Sequence, residues 1–354
     1  QKTAYEILTC DWSSDVCSSD LDTYKKLRPT LALGADGVIK IGDGVGLHPS
    51  MKPLLPAWNA REMAIVQGIG YDKPNRSHFR SIEIWDAASN ADEVVAEGWV
   101  ARLFERTRPP EDFAAHAVVF GRPHLGPVSG ARTRVVLMDD ALNFAKRGVA
   151  LPALADRSGN PALAHIARVQ STARVAAERV LGDLERAGPP STEFPKTGIG
   201  RQLGQVAQLI AAGSKVAAFK VAHDGYDTHG GQAATHQRLL GELSEAVMAF
   251  RAAMTAAGKW RDVLVVTYSE FGRRPKENAS AGTDHGTAAP HFLFGGLVKG
   301  GLLGNQPPLD ALVEQDMVHN TDYRRLYATI AKGWWGLPGA PWLDAYAPLQ
   351  VLKA

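Results

Sequence analysis

Six apolar runs set the framework of this chain: Met63–Gly70, Ala117–Phe120, Val135–Met138, Val216–Val221, Val263–Tyr268 and Phe292–Phe294. Short runs of this kind, bounded by glycine or polar turns, suit strands buried on both faces. Between them, Phe79–Ala88, a stretch from about Pro161 to Arg186 and another from about Gln232 to Ala257 carry apolar residues three and four apart. That spacing predicts layer helices. Strands alternating with helices predict the α/β class, with a mainly parallel sheet covered on both faces. In such sheets the functional residues gather at the carboxyl ends of the strands.

The charge pattern narrows the partners. With 39 Lys plus Arg against 37 Asp plus Glu, the net charge is +2, and no basic block is long enough to track a nucleic-acid backbone. No nucleic-acid partner is expected. No run of about eighteen apolar residues offers a membrane span.

Residues 1–21 stand apart. The stretch ending Cys10-Asp11-Trp12-Ser13-Ser14-Asp15-Val16-Cys17-Ser18-Ser19-Asp20-Leu21 repeats Ser-Ser-Asp and has neither a helical nor a strand period. It resembles translated sequencing-adaptor text, and it is read as a foreign or disordered segment preceding a single domain over residues 22–354. Few core contacts are expected of residues 1–20, and no role is assigned to Cys10 or Cys17. The positions after Leu21 contain no cysteine, which is compatible with an oxidising compartment.

The polar residues follow the strands. After the run ending at Val221 comes His223-Asp224-Gly225-Tyr226-Asp227-Thr228-His229-Gly230-Gly231. After Tyr268 come Ser269-Glu270-Phe271-Gly272-Arg273-Arg274 and then Gly282-Thr283-Asp284-His285-Gly286-Thr287; after Gly70 come Asn75-Arg76-Ser77-His78. Imidazole and carboxylate are the donors a zinc-like divalent site uses. Asp227 and His229, two apart, can point the same way from an extended segment; the alternative is a loop carboxylate capping the next helix. Glu270 is costly to bury unless paired or metal-bound, so it is read as a ligand or as the partner of Arg273 or Arg274. Asp284 and His285 complete the candidate ligands. Ser77 suits a helix N-cap, a nucleophile at a helix end that stabilises negative charge, or a ligand to metal or water. His78 is read as a base, a ligand or a packing residue. Arg76, Arg273 and Arg274, with Asn75, are candidate contacts for a phosphate or sulfate oxyanion, or structural side chains. His48, His116, His124, His165, His236 and His319 show no such context and default to structural roles.

Taken together and in order, Asn75–Phe79, Tyr226–Gly230, Ser269–Arg274, Gly282–Thr287 and Thr321–Arg324 resemble a bacterial family carrying a domain of unknown function, usually exported by the twin-arginine route, with an alkaline-phosphatase-like, sulfatase-like fold. The resemblance covers about Leu21 to Gly336. It implies a three-layer α/β/α sandwich with one or two metals between strand ends. It also implies hydrolysis of phosphate or sulfate esters, with Ser77 at the nucleophile position and Asp227, His229, Glu270 and His285 among the ligands. The family opens with a first strand and a Gly-Gly-x-Asp-Gly-Leu turn whose aspartate is a ligand. Here residues 1–21 stand in that place, so the sandwich is expected to lack its native first strand, and the export signal is missing for the same reason.

The reading is therefore a periplasmic or extracellular hydrolase that uses zinc, or calcium, magnesium or manganese, on a small-molecule or polysaccharide ester. The alternative is an exported, non-catalytic protein that binds a polysaccharide or a protein partner on the same fold. A phosphomutase of the same superfamily needs a second substrate domain, and no sequence for one is present.

Overall fold

The strand Met63–Gly70, buried at every position, is the spine of the sheet in this computed structural model, which describes residues 5–9, 16–17, 21–34, 37–42, 45–121, 124–152, 159–187 and 192–353. It pairs antiparallel with Ala289–Phe294 and parallel with Gly301–Leu303 and Thr321–Asp322. Ala289–Phe294 pairs in turn with Val265–Tyr268, which pairs parallel with Tyr5–Thr9. A second, all-parallel group runs Val135–Met138, Ala115–Phe120, Val216–Lys220. Tyr5–Thr9 also lies alongside Val216–Lys220, between the two groups.

Alternation along the strands shows why helices cover both faces. Met63 and Ile65 belong to one core, and Ala64 and Val66 to the other; Val118 and Phe120 divide from Ala117 and Val119 in the same way. The first core is closed by the helices Gly198–Ala211 and Gln232–Ala256, through Leu203, Leu240 and Phe250. The second is closed by His78–Ala87 and Arg324–Ala328, through Trp85 and Tyr327. Each such side chain contributes on the order of 1.5–3 kcal/mol by leaving water, so burial of one stripe holds the helices in place. The result is the expected α/β/α sandwich with a mainly parallel sheet, in which Ala289–Phe294 is the antiparallel member.

Two elements differ from the sequence reading. Tyr5–Thr9 and Val16–Cys17 are strands inside the segment expected to stay unpacked; Cys10 and the other positions of 1–20 lie outside the described residues. The cause is available in the backbone: a gap beside Val265–Tyr268 presents unpaired amides and carbonyls, and an extended segment satisfies them whatever its side-chain period. The second is the stretch carrying Arg273, Arg274, Asp284 and His285, which the sequence places in loops. It forms an antiparallel pair, Gly272–Glu277 with Thr283–Gly286, in which Arg273 is opposite His285.

Candidate functional site

Three histidines from three chain segments meet at Asp227. His78, the first residue of its helix, holds Nε2 3.1 Å from Asp227 Oδ2. His285 and His229 each hold Nε2 3.0 Å from Asp227 Oδ1, and those two nitrogens are 3.0 Å from one another. One acceptor faces the other nitrogen of each ring. Nδ1 lies 2.9 Å from Glu270 Oε1 in His78, 3.2 Å from Asp284 Oδ1 in His229 and 2.8 Å from the Arg76 carbonyl in His285.

Several latches bring these segments together. The hydroxyl of Ser81, on the helix of His78, donates to the Glu270 carbonyl and shares a 2.7 Å hydrogen bond with the Tyr71 hydroxyl. This ties that helix to the end of Val265–Tyr268 and sets Glu270 beside His78. The Thr283 amide donates to the Thr228 carbonyl at 3.1 Å. An added Cβ at Gly282 would stand 2.3 Å from the carbonyl carbon of His229, so only glycine lets the two segments approach this closely. Asn278 Nδ2 donates to both the His229 carbonyl and Asp284. His236, read as structural, is buried and sits 2.9 Å from the Thr228 hydroxyl.

The arginines among the candidate substrate contacts have carboxylate partners. Arg273, with a fully buried side chain, donates to the Thr283 carbonyl at 2.8 Å, the Tyr226 carbonyl at 3.1 Å and Asp227 Oδ1. Arg76 donates to Asp316 at 2.8 Å, and Arg274 Nε lies 3.8 Å from the same carboxylate. Asp316 is buried, and no sequence pattern had singled it out; its signal is spatial, since it stands 240 residues from Arg76. Asn75 Oδ1 accepts from the Ser77 amide at 2.8 Å. Ser77 occupies the N-cap position of its helix, but its side chain makes no capping hydrogen bond, and the residue is exposed.

Charge follows geometry. Burial acts to raise the Asp227 carboxyl, but Arg273 and His285 outweigh it and hold the group down at about 2. Burial likewise opposes ionisation of Glu270, and the His78 hydrogen bond leads the groups that bring it below the usual value. The Glu270 hydrogen bond raises the His78 imidazole against burial, with help from Asp227. Hydrogen bonds from Asn278 and His229 lower Asp284.

This donor set fits a divalent cation. Glu270, Asp284 and the Arg76 carbonyl are acceptors, so in the neutral rings each Nδ1 carries the proton and each Nε2 turns a lone pair toward Asp227. Lone pairs facing a carboxylate repel unless a proton or cation stands among them. A tetrahedral zinc with ligands at ~2.0–2.1 Å has neighbouring ligands ~3.3 Å apart, close to the 3.0 Å separations here. Donor atoms of His78, Asp227 and His285 all lie within 4.8 Å of one another.

An open groove of about 720 Å³ adjoins the centre, lined by His78, Asp227 and Glu270 and also by Glu83, His124 and Lys220. Phe79, on its wall, is 84% exposed.

Among solved structures, the chain is similar to a phosphonate monoester hydrolase from Silicibacter pomeroyi, at 12% identity and a TM-score of 0.45 over 99% of this chain and 76% of that one. It is also similar to the PsFucS1 sulfatase from Pseudoalteromonas sp., at 11% and 0.44 over 99% and 71%. A third is a protein in the alkaline phosphatase superfamily from Vibrio parahaemolyticus, at 10% and 0.40 over 99% and 71%. At these scores the likeness carries nothing about activity. No curated protein sequence matches the chain. A family model described as "Protein of unknown function (DUF1501)" matches residues 37–334, and the chain belongs to that family.

Proposed function

We propose that this protein is a metal-dependent hydrolase of phosphate or sulfate esters. The observation that carries the reading is the convergence of three imidazole Nε2 atoms on Asp227, each ring backed at Nδ1 by its own acceptor. Acceptors behind ligating histidines fix the tautomer and raise ligand basicity. In this assignment Asp227, His229, His285 and His78 hold the cation, with zinc the best match to the donors. Glu270 and Asp284 orient the rings. Arg273 anchors Asp227.

A divalent cation bound there supplies Lewis acidity and neutralises charge that develops on the transferring group. The chain's residues do the rest. Ser77, exposed at the start of the helix His78–Ala87 and free of a capping bond, presents its hydroxyl as the nucleophile beside His78. The backbone amides of that first turn face developing negative charge. The groove admits the alcohol portion of a small-molecule or polysaccharide ester, and its exposed Phe79 offers a ring face to it. The twin-arginine-type resemblance supports an exported location, periplasmic or extracellular.

The test is metal analysis of the purified protein, combined with turnover of aryl phosphates and aryl sulfates before and after chelation. Zinc near one or two equivalents with chelator-sensitive hydrolysis supports the reading. Bound metal with no hydrolysis of any ester favours the non-catalytic binding protein, and absence of metal binding removes the centre.

A further inference from the structure

A second set of charges plays no part in the metal centre: Lys220 and His124 line the same groove, and Asp86 stands behind His124. Asp86, in the last turn of the helix that begins at His78, and Lys220, the last residue of its strand, are 7% and 6% exposed. Both hold His124. Lys220 Nζ donates to the His124 carbonyl at 2.9 Å, and Asp86 Oδ2 lies 3.3 Å from His124 Nε2. The loop is pressed against both charges: at Gly126, where φ is +58°, a Cβ would stand 2.9 Å from Asp86 Oδ1 and 3.0 Å from Lys220 Cε. The His124 side chain is nevertheless 53% exposed, and it lines the groove together with His78 and Glu270. An imidazole held at both its backbone and its ring by buried charges, yet open to the groove, has the rigidity expected of a residue that meets a ligand.

We infer that His124 donates a proton to the leaving-group oxygen of the ester, with Asp86 as its positioning and proton-relaying partner. The inference rests on the hydrolase reading above. Asp86 takes Nε2, which leaves Nδ1 as the ring nitrogen for the substrate. As the Ser77 oxygen bonds to phosphorus or sulfur and releases its hydroxyl proton to solvent, the bond to the leaving oxygen breaks. That oxygen takes the Nδ1 proton, Nε2 takes the proton of the Asp86 carboxyl, and the new carboxylate is left beside the Lys220 ammonium. Water restores the proton after the alcohol departs. Burial pushes the Asp86 carboxyl up to about 7 against the pull of Lys220 and the Tyr268 hydroxyl, so it carries a proton for part of the time at neutral pH. Burial and Lys220 hold the His124 imidazole below its usual value, which agrees with a neutral ring in a relay.

The experiment compares phenyl with 4-nitrophenyl phosphate, and the corresponding sulfates, on the zinc-loaded full chain. Nitrophenolate leaves readily without a proton and phenolate does not. General-acid assistance is worth about 10²–10⁴, so His124→Gln should lower kcat on the phenyl ester at least tenfold more than on the 4-nitrophenyl ester. Asp86→Asn should shift the two in the same direction, with zinc content equal to wild type in both variants. Equal losses on the two esters, no loss, or loss of zinc from His124→Gln would overturn the donor role and leave the hydrolase reading intact. Failure of zinc-loaded wild type to turn over any of the four esters overturns both.

Discussion

His229 and His285 point their Nε2 atoms at each other across 3.0 Å, with both atoms 3.0 Å from one oxygen of Asp227. With their Nδ1 protons committed to Asp284 and the Arg76 carbonyl, neither ring has a proton left for that contact while both are neutral. A cation resolves the conflict. His229→Ala should therefore lower zinc affinity at least tenfold, in line with the roughly 10–100-fold losses seen even for outer-sphere changes, and remove activity with it. Zinc titration against a competing chelator measures this. An unchanged affinity rejects His229 as a ligand.

Protons compete for the same place. The Glu270 hydrogen bond raises the His78 imidazole above its usual 6.5, so in the metal-free protein His78 is charged over more of the neutral range than a free histidine. A ligand must be deprotonated to bind, so zinc affinity should begin to fall while pH is still above 6.5, and continue down as acid is added. Calorimetry in buffers of different ionisation enthalpy should show proton release on zinc binding at pH 7. His78→Gln should lessen that release.

Arg273 should behave as a keystone of the centre. Its buried guanidinium donates to the Tyr226 and Thr283 carbonyls as well as Asp227; the Tyr226 carbonyl keeps the Thr228 amide at 2.8 Å, so the Thr283 carbonyl and the Asp227 carboxylate carry the loss, at about 1–3 kcal/mol for each buried acceptor left unpaired. Arg273→Met should therefore lose roughly 2–4 kcal/mol of stability in urea denaturation, with weaker zinc binding because Asp227 loses its anchor. Lysine should not restore it, since one ammonium cannot reproduce the planar fork. A variant as stable as wild type would show that Arg273 is dispensable.

The same residues show what the sequence could and could not reveal. Met63–Gly70, Val216–Lys220 and Val265–Tyr268 are legible because strands buried on both faces are mostly apolar, and the polar residues that follow them are those that meet at Asp227. The pairing of Gly272–Glu277 with Thr283–Gly286 is not legible: Arg-Arg-Pro-Lys-Glu and Thr-Asp-His-Gly have no alternating apolar face, and the register that sets Arg273 opposite His285 is carried by backbone pairing that leaves no side-chain period. The contacts of Arg76 and Arg274 with Asp316, and of Asp86 and Lys220 with His124, join residues far apart in sequence. No local period encodes such contacts. Histidine 124 looked ordinary for that reason.

Ser77 is the residue at which two physical readings part. A serine that caps a helix contributes typically about 1 kcal/mol, lost on replacement by alanine. Here the hydroxyl makes no capping bond, and the Ser77 amide is instead satisfied by Asn75 Oδ1 at 2.8 Å. Ser77→Ala should accordingly change stability by no more than about 0.5 kcal/mol, as at an ordinary surface site, and should leave zinc content at the wild-type level, because no candidate ligand is removed. Turnover is a different matter: a hydroxyl nucleophile acts after the metal is in place, so hydrolysis of aryl phosphates and sulfates should cease in a protein that melts and binds zinc like wild type. Three measurements on one variant, thermal midpoint, zinc stoichiometry and kcat, separate the possibilities. A lowered midpoint with full turnover would make Ser77 a helix cap and shift the attacking role to water; full turnover at an unchanged midpoint would remove Ser77 from the mechanism altogether.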